Sequence, residues 1–454
     1  MYSYSTAGKE LYITLIAPDH LNALHTCGDI IRGQVHFRPQ SDKTIDELSV
    51  HLKCKLKNNI STGSGDNRRQ YTAKAILVWE YKKFINTITP FPATPAGSNH
   101  RTWDFEFQFP WEVQANLPST KPYQTHDEFE HLPGHALPPS YSISFGSDTQ
   151  SVAYYLEAKI HKPNAIFKST SKDKMLIQFS PSRAFPPPEM QPLRSTNHLS
   201  RSSRWLDPVK RNEKLSLGQK TKRIFSSEPD PTALFILEGH VPTVLCTDSP
   251  IPITLNFHHD LVNSTAPESP EVYIENVRAR LTAFVSYRVP LGRGFRGSHT
   301  ELVRHNDRKI ELLNKTFSAR PIYDGMQLLD LVPELSMANK APPMFQTYGI
   351  KVYYKLKVSI ILTCAKKSGE VVIANHGVTV LPGIQRSPPE DRIDSKMADL
   401  NTELPSYGES VAGPSSGMPA IQRASMTKEE EANAEAKQEQ AKKEDTLPAY
   451  RETE

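Results

Sequence analysis

The chain has 454 residues, of which 37% are hydrophobic and 23% charged, and its formal net charge at pH 7 is +4. This length accommodates two domains of ordinary size with further segments, and so small a net charge argues neither for nor against a nucleic-acid partner. The 37 prolines outnumber the 21 glycines, which favours β-structure with proline-rich connections over a helix bundle.

The sequence gives no sign of a signal peptide or a membrane span. The first residues lack a basic region followed by an apolar core, and the longest apolar runs, such as 358–362, are far shorter than a span requires. The cysteines are widely scattered, which predicts reduced thiols in a core rather than a disulfide framework or a zinc site. They are Cys27, Cys54, Cys246 and Cys364.

Residues 9–181 predict a first domain built from about eight short strands. Apolar and polar residues alternate in 31–37 and 45–57, and a strand resumes at 73–84. Trp103, Phe105, Phe107 and Phe109 lie two positions apart and should share one buried face. No convincing amphipathic helix interrupts these strands, so we expect an immunoglobulin-like β-sandwich.

A hairpin pattern occurs twice and predicts two copies of this domain. The segment 137–160 has a proline-led strand, a Gly-Ser-Asp turn and a second alternating strand, and the segment 342–362 repeats the design. The pattern Tyr154-x-Leu156-x-Ala158 aligns with Tyr354-x-Leu356-x-Val358. We therefore expect an all-β chain with two tandem sandwiches, the second at 232–385.

The segment 182–231 is predicted to be a basic, Ser/Pro-rich linker. It has nine basic residues between Arg194 and Arg223 against two acidic ones. Three interpretations stay open: a plain connection, a patch that attracts anionic membrane headgroups, and a phosphorylation switch. The candidate phosphorylation sites lie near arginines and are Ser202, Ser203, Ser226 and Ser227.

The residues 386–454 are predicted to form a disordered C-terminal tail, because aromatic residues almost vanish and Glu, Lys, Ala and Gln dominate its end. Two short boxes with the pattern L-P-x-Y stand out in it. They consist of Leu404, Pro405 and Tyr407, and of Leu447, Pro448 and Tyr450.

Together these features resemble the α-arrestins, or arrestin-related trafficking adaptors. The resemblance rests on the tandem sandwiches, LPPSY before Y-x-L-x-A, GDIIRGQVHF, an aromatic strand ending in FP, and the tail boxes. It implies an arrestin fold without catalytic, cofactor or metal sites. It also implies an adaptor, in the cytoplasm and at the plasma membrane or endosomes, that joins transporters or receptors to a WW-domain HECT ubiquitin ligase.

The tail boxes are the predicted WW-domain ligands. Proline pre-sets a polyproline II segment that WW domains bind on an aromatic groove, and the tyrosine would fill the neighbouring pocket. Tyr407 and Tyr450 lie 43 positions apart, which a flexible chain spans in roughly 35–40 Å. A further match, Pro138-Pro139-Ser140-Tyr141, leads into a strand, so we expect it to be structural.

Lys53, Lys55 and Lys57 share the sheet face opposite the core positions. They predict either an ordinary solvated face or a face for acidic or phosphorylated cargo.

Two other functions stay open for the chain: an arrestin-like scaffold for vesicle trafficking or signalling that makes no use of ubiquitin, and a lipid-binding sandwich. Nucleic acid is disfavoured as a partner, because the basic linker has few aromatic residues to stack on bases.

Overall fold

The computed structural model describes residues 9–16, 24–94, 101–114, 126–162, 170–182, 192–208, 218, 229–293, 299–338 and 340–383. Strands dominate these ranges, as the sequence predicts. The first eleven are β1 (Leu11–Leu15), β2 (Leu24–His25), β3 (Ile30–Phe37), β4 (Lys43–Ile45), β5 (Glu47–Thr62), β6 (Arg69–Ile85), β7 (Thr89–Phe91), β8 (Arg101–Gln108), β9 (Tyr141–Phe145), β10 (Asp148–His161) and β11 (Thr170–Phe179).

These strands form the first sandwich. One sheet has the order β1–β3–β8, and the other has the order β2–β11–β10–β5–β6 with β9 paired to β10. Period-2 alternation sends every second side chain into the space between the sheets. Phe105, Phe107 and Phe109 are buried there as predicted, while Trp103 is partly buried and packs against the core.

The remaining strands form the second sandwich. They are β12 (Leu193–Ser202), β13 (Thr232–Val241), β14 (Val244–Cys246), β15 (Thr254–His259), β16 (Val272–Arg293), β17 (His299–Pro321), β18 (Met326–Gln327), β19 (Phe345–Gln346), β20 (Ile350–Cys364) and β21 (Lys367–Leu381), with a short helix, α1 (Leu328–Leu331), after β18. The sheets have the orders β12–β13–β15–β18 and β14–β21–β20–β16–β17, and β19 pairs with β20.

The two sandwiches repeat one strand arrangement, which confirms the prediction of a duplicated hairpin. In each, a short strand forms a hairpin with a long central strand, β9 with β10 and β19 with β20. A short early strand also pairs in parallel with the last strand. The Tyr154 hydroxyl donates to the Pro138 carbonyl at 2.7 Å, and the Tyr354 hydroxyl donates to the Pro342 carbonyl at 2.8 Å. The same buried tyrosine therefore fixes the proline-led entry to both hairpins.

Strand β12 corrects the predicted linker. Residues 193–202 lie within 182–231, yet they pair along their whole length with β13 and form an edge of the second sandwich. None of the ten is fully buried. An edge strand with mostly polar side chains lacks the apolar alternation by which strands are recognised, and its basic residues therefore suggested a connection.

The two sandwiches belong to one compact unit and touch through side chains of their central strands. The Asn58 side-chain amide donates to the carbonyls of Arg288 at 3.0 Å and Gly349 at 2.7 Å. The Tyr287 hydroxyl donates to the Asp148 carboxylate at 2.9 Å. All five residues in these hydrogen bonds are buried. The contact between the sandwiches is therefore a buried interface.

All four cysteines are free and buried, as predicted for core thiols. Within the described ranges, no helix is both long and apolar enough to cross a bilayer.

Candidate interaction surfaces

Seven of the lysines on the outer face of the large sheet in the first sandwich form a group that we call the lysine face. They are Lys53, Lys55 and Lys57 of β5, Lys74 of β6, Lys159 of β10, and Lys172 and Lys174 of β11. Strand pairing brings them together, because residues directly opposite each other in antiparallel strands point to the same side. Lys57 lies opposite Lys74, and Lys159 opposite Lys172.

Glu157 of β10 is the acidic centre of the lysine face. Its carboxylate accepts from Lys53 at 2.7 Å and lies 3.3 Å from the ammonium groups of both Lys159 and Lys174. Burial disfavours the charged form of Glu157, but the Lys53 hydrogen bond and the three ammonium charges outweigh it and lower the pKa of Glu157 to about 2. Glu157 is therefore ionised at neutral pH.

Lys53 corrects the prediction of a uniformly accessible row of three lysines. It shares the outer side of β5 with Lys55 and Lys57, as predicted, but it is buried and held by Glu157. Its ammonium group also lies 4.9 Å from the centre of the Trp79 ring. Lys53 is therefore a structural residue, and Lys55 and Lys57 are the members of the row that solvent reaches.

Neighbouring side chains fix this buried part of the face. The Trp79 indole donates to Nδ1 of His51 at 3.1 Å, and the Ser49 hydroxyl lies 3.1 Å from His51 Nε2. Burial and the charge of Lys53 lower the pKa of His51 to about 4, so its ring is neutral at physiological pH. His51 therefore adds no positive charge to the face.

The half of the face away from Glu157 is open. Lys57 and Lys74 are exposed and Lys55 is partly exposed. Opposite Lys55 and Lys57 on β10 are the small residues Ala153 and Ser151, whereas Ile76 lies opposite Lys55 on β6. Burial lowers the pKa of Lys55, and the charges of Lys74, Lys174 and Lys57 lower it further. Positive charges are thus crowded here.

The candidate phosphorylation sites in the former linker differ in accessibility. Ser202, at the end of β12, is exposed. Ser203 is buried, and its hydroxyl accepts from the backbone N–H of Trp205 to cap the 3₁₀ turn Arg204–Leu206. A kinase could reach Ser202 in this conformation but not Ser203. Ser226 and Ser227 lie outside the described residues.

The P-P-x-Y match at 138–141 is structural, as predicted. Leu137, Pro138 and Pro139 are buried, and Tyr141 begins β9 with its ring 5.2 Å from that of Phe345 in the second sandwich. A WW domain could not bind these side chains in this conformation. The two L-P-x-Y boxes, at 404–407 and 447–450, lie outside the described residues.

The described residues contain no group of three or more His, Cys, Asp or Glu side chains arranged to hold a metal ion. The histidine-rich segment at 126–135 serves other contacts. His135 Nε2 lies 3.2 Å from the Thr347 hydroxyl, and its ring meets that of Tyr348 edge-on at 4.9 Å. His135 thus takes part in the contact between the sandwiches.

Sequence reasoning found three of the seven lysines and missed Lys74, Lys159, Lys172 and Lys174. Alternation within one strand identified Lys53, Lys55 and Lys57 as neighbours. The missing information was the register between β5, β6, β10 and β11, which long-range pairing sets. A usable signal existed for Lys159, which alternates with the apolar residues Ala158 and Ile160.

Comparison with known proteins gives no assignment: no protein-family model matches this chain, and no curated protein matches it.

Proposed function

We propose that this protein is an arrestin-like adaptor that links membrane cargo, a transporter or receptor, to a WW-domain HECT ubiquitin ligase. One combination supports the proposal: a duplicated β-sandwich body with the same tyrosine–proline hydrogen bond in both halves, followed in the sequence by two L-P-x-Y boxes. The body would recognise cytoplasmic parts of the cargo, and the boxes would hold the ligase beside it.

The proposed ligase contact depends on Pro405 with Tyr407 and on Pro448 with Tyr450. Leu404 and Leu447 stand where the stronger P-P-x-Y motif has its first proline, so each box alone has less pre-set polyproline II structure to offer. Two boxes on one flexible chain compensate, because the second binding event becomes intramolecular and avidity rises.

Ubiquitin transfer would then depend on proximity. Tethering raises the concentration of ligase at the cargo and replaces a bimolecular encounter by an intramolecular one. The adaptor needs no catalytic group of its own for this role. Recruitment to the plasma membrane or to endosomes would follow from the location of the cargo.

The test is a titration of the full-length protein against the tandem WW region of a HECT ligase. We expect Tyr407→Ala and Tyr450→Ala each to weaken binding about tenfold or more, because avidity is lost, and the double variant to abolish it. Tyr141→Phe serves as the control, since the Tyr141 ring is partly buried and packs against Phe345 of the second sandwich, and it should bind like the wild type.

Wild-type affinity in the double variant would overturn the ligase tether. The duplicated sandwiches would then favour the second candidate, an arrestin-like scaffold for vesicle trafficking or signalling that makes no use of ubiquitin. Cargo ubiquitylation in cells that express the same double variant separates the two: it falls if this protein is a ligase adaptor and is unchanged if the protein is a scaffold, while cargo binding is kept in both cases.

A further inference from the structure

We propose that the outer edge of β17 pairs with the same strand of a second copy of this chain, so that two copies form an antiparallel dimer through residues 305–311. β17 is the last strand of the large sheet in the second sandwich, and among the described strands it pairs with β16 alone. The inference is independent of the proposed adaptor function, because the L-P-x-Y boxes take no part in it.

The edge of β17 is long and accessible. A strand directs every second backbone N–H and C=O group to one side, so half of these groups in β17 point away from β16 and need water or another strand. Along 304–309, exposed side chains occur on both faces of the strand. The described part of the chain therefore leaves room for a further strand beside this stretch.

Two opposite charges of β17 have no counter-charge within this chain. Asp307 and Lys309 lie two positions apart on one face of the strand, and both are exposed. Their neighbours on β16 are Phe284 and Thr282, which carry no charge. The ion pairs of β17 within the described ranges involve other residues. Both charges are therefore available to an external partner.

Twofold symmetry makes these charges complementary to their own copies. When two identical strands pair antiparallel about an axis perpendicular to the sheet, the residue on the axis lies opposite itself. With Arg308 on the axis, Asp307 of each copy lies opposite the partner's Lys309. In the same register His305, a hydrogen-bond donor, lies opposite the partner's Glu311. Directly opposed charges of opposite sign stabilise a sheet.

The order of charges along the strand favours this register over its neighbours. An axis at Asp307 or at Lys309 places that residue opposite its own copy, and like charges directly opposed destabilise a sheet. An axis at position 306 or 310 loses both Asp307–Lys309 pairs. The axis at Arg308 has one unfavourable contact, between the two Arg308 side chains on the other face, against two favourable pairs.

A β-bulge limits how far the pairing extends. The register between β17 and β16 is regular from Glu301 to Glu311 and shifts at Leu312. Bulges bend an edge away from further pairing, so regular pairing about Arg308 includes 305–311 of each copy. These seven residues are fewer than the roughly 20–30 residues a side of a standard interface. We therefore expect a weak, reversible dimer.

Sedimentation equilibrium of the full-length protein from about 10 to 500 μM tests the dimer, because this range covers weak association. We expect the wild type to shift from monomer towards dimer. Asp307→Lys and Lys309→Asp should each weaken association about tenfold or more, because both complementary pairs become repulsive. The double variant Asp307→Lys/Lys309→Asp exchanges the charges and should restore association to within about threefold of wild type.

An equimolar mixture of the two single variants tests the register itself. Asp307→Lys is positive at both positions and Lys309→Asp is negative at both, so every opposed pair in their heterodimer is complementary. The mixture should associate at least as tightly as the wild type, although neither variant associates alone. Random sticking of an exposed edge gives no such rescue.

Lys357→Asp is the matched control. It reverses an exposed charge on β20, away from the edge of the sheet, and should associate like the wild type. Thermal unfolding of each variant verifies that it is folded. A wild type that stays monomeric over the whole range, single variants that associate like the wild type, or folded single variants whose mixture stays monomeric would each overturn the proposal.

Discussion

At the scale of single residues, the Glu157 carboxylate is the negative charge that holds together the buried part of the lysine face. Three ammonium groups surround its carboxylate, and the closest belongs to the buried Lys53. A carboxylate so placed compensates a cation that would otherwise be desolvated without a partner. It also links the stability of the first sandwich to pH, because its pKa lies well below the ordinary value of 4.5.

We expect Glu157→Gln to destabilise the protein by about 3–5 kcal/mol at neutral pH, since Lys53 then stays buried without its counter-charge. Because the folded state lowers the pKa of Glu157, its contribution is complete above pH 4.5 and is lost as the pH falls towards about 2. The difference between wild type and variant in urea denaturation should therefore shrink over that window.

Glu106→Gln is the control for this measurement. Glu106 forms an exposed ion pair with Arg32, and exposed pairs contribute at most about 1 kcal/mol. A difference between wild type and Glu157→Gln that stays constant from pH 6 to pH 2 would contradict the assigned role of the carboxylate.

Sequence patterns located individual side chains well where alternation is strict and less well where a charge is buried. They placed Phe105, Phe107 and Phe109 in the core and all four cysteines out of water. They did not reveal that Lys53 is buried, because its partner Glu157 lies 104 positions away in the chain. Only the pairing of β5 with β10 makes the two neighbours.

At the scale of elements, the strand β12 distinguishes this structure from a chain with a plain linker. We expect the amides of 193–202 that face β13 to exchange with solvent at least about a hundredfold more slowly than in an unfolded chain. Protection should alternate along the strand, because an edge strand directs every second amide to solvent. Hydrogen exchange read residue by residue by NMR measures this pattern.

The amides of β13 are the internal control for this experiment. This strand lies between β12 and β15, so its amides should be protected without alternation. Uniformly fast exchange across 193–202 would show that these residues are a linker in solution, as composition alone predicts.

Composition wrongly predicted a linker at β12, and alternation correctly predicted strands at the hairpins. Both outcomes have the same physical reason. A strand is visible in sequence when one of its faces is apolar and buried. The central strands β10 and β20 satisfy this condition, whereas β12 pairs through its backbone and leaves its side chains largely in water. Backbone pairing of a polar edge strand leaves no comparable trace in the sequence.

At the scale of the whole molecule, Asn58 couples the two sandwiches. Its side chain spans from β5 to two backbone carbonyls of the second sandwich, and both hydrogen bonds are buried. Replacing it by alanine removes both hydrogen bonds, each of which contributes about 0.5–1.5 kcal/mol, while the Gly349 carbonyl keeps the Arg288 N–H as a donor. The lost free energy therefore weakens the contact between the sandwiches and leaves the core of each one intact.

We therefore expect wild type to unfold in one calorimetric transition and Asn58→Ala to show two, one for each sandwich. Asn59→Ala is the matched control, because the Asn59 side chain bonds to Thr149 and Thr72 inside the first sandwich. It should lower stability without separating the transitions. A single transition in Asn58→Ala would mean that other contacts couple the sandwiches.

The repeated hairpins predicted two sandwiches, but no sequence pattern predicted how they touch. The contact uses Asn58, Asp148, Tyr287 and Arg288, which are polar groups at core-like positions. In a sequence such residues resemble ordinary strand positions, and their partners lie 139 to 291 positions away. Contacts of this range become apparent only when the register of both sheets is known.

The long strand β16 has a mechanical consequence. It pairs with β17 on one side and β20 on the other, and its residues Tyr287 and Arg288 meet the first sandwich. A pull on the first sandwich along β16 would load it in shear, and because ladder hydrogen bonds run perpendicular to the strands, many would share the force at once. The molecule should resist stretching along β16 far better than peeling across it.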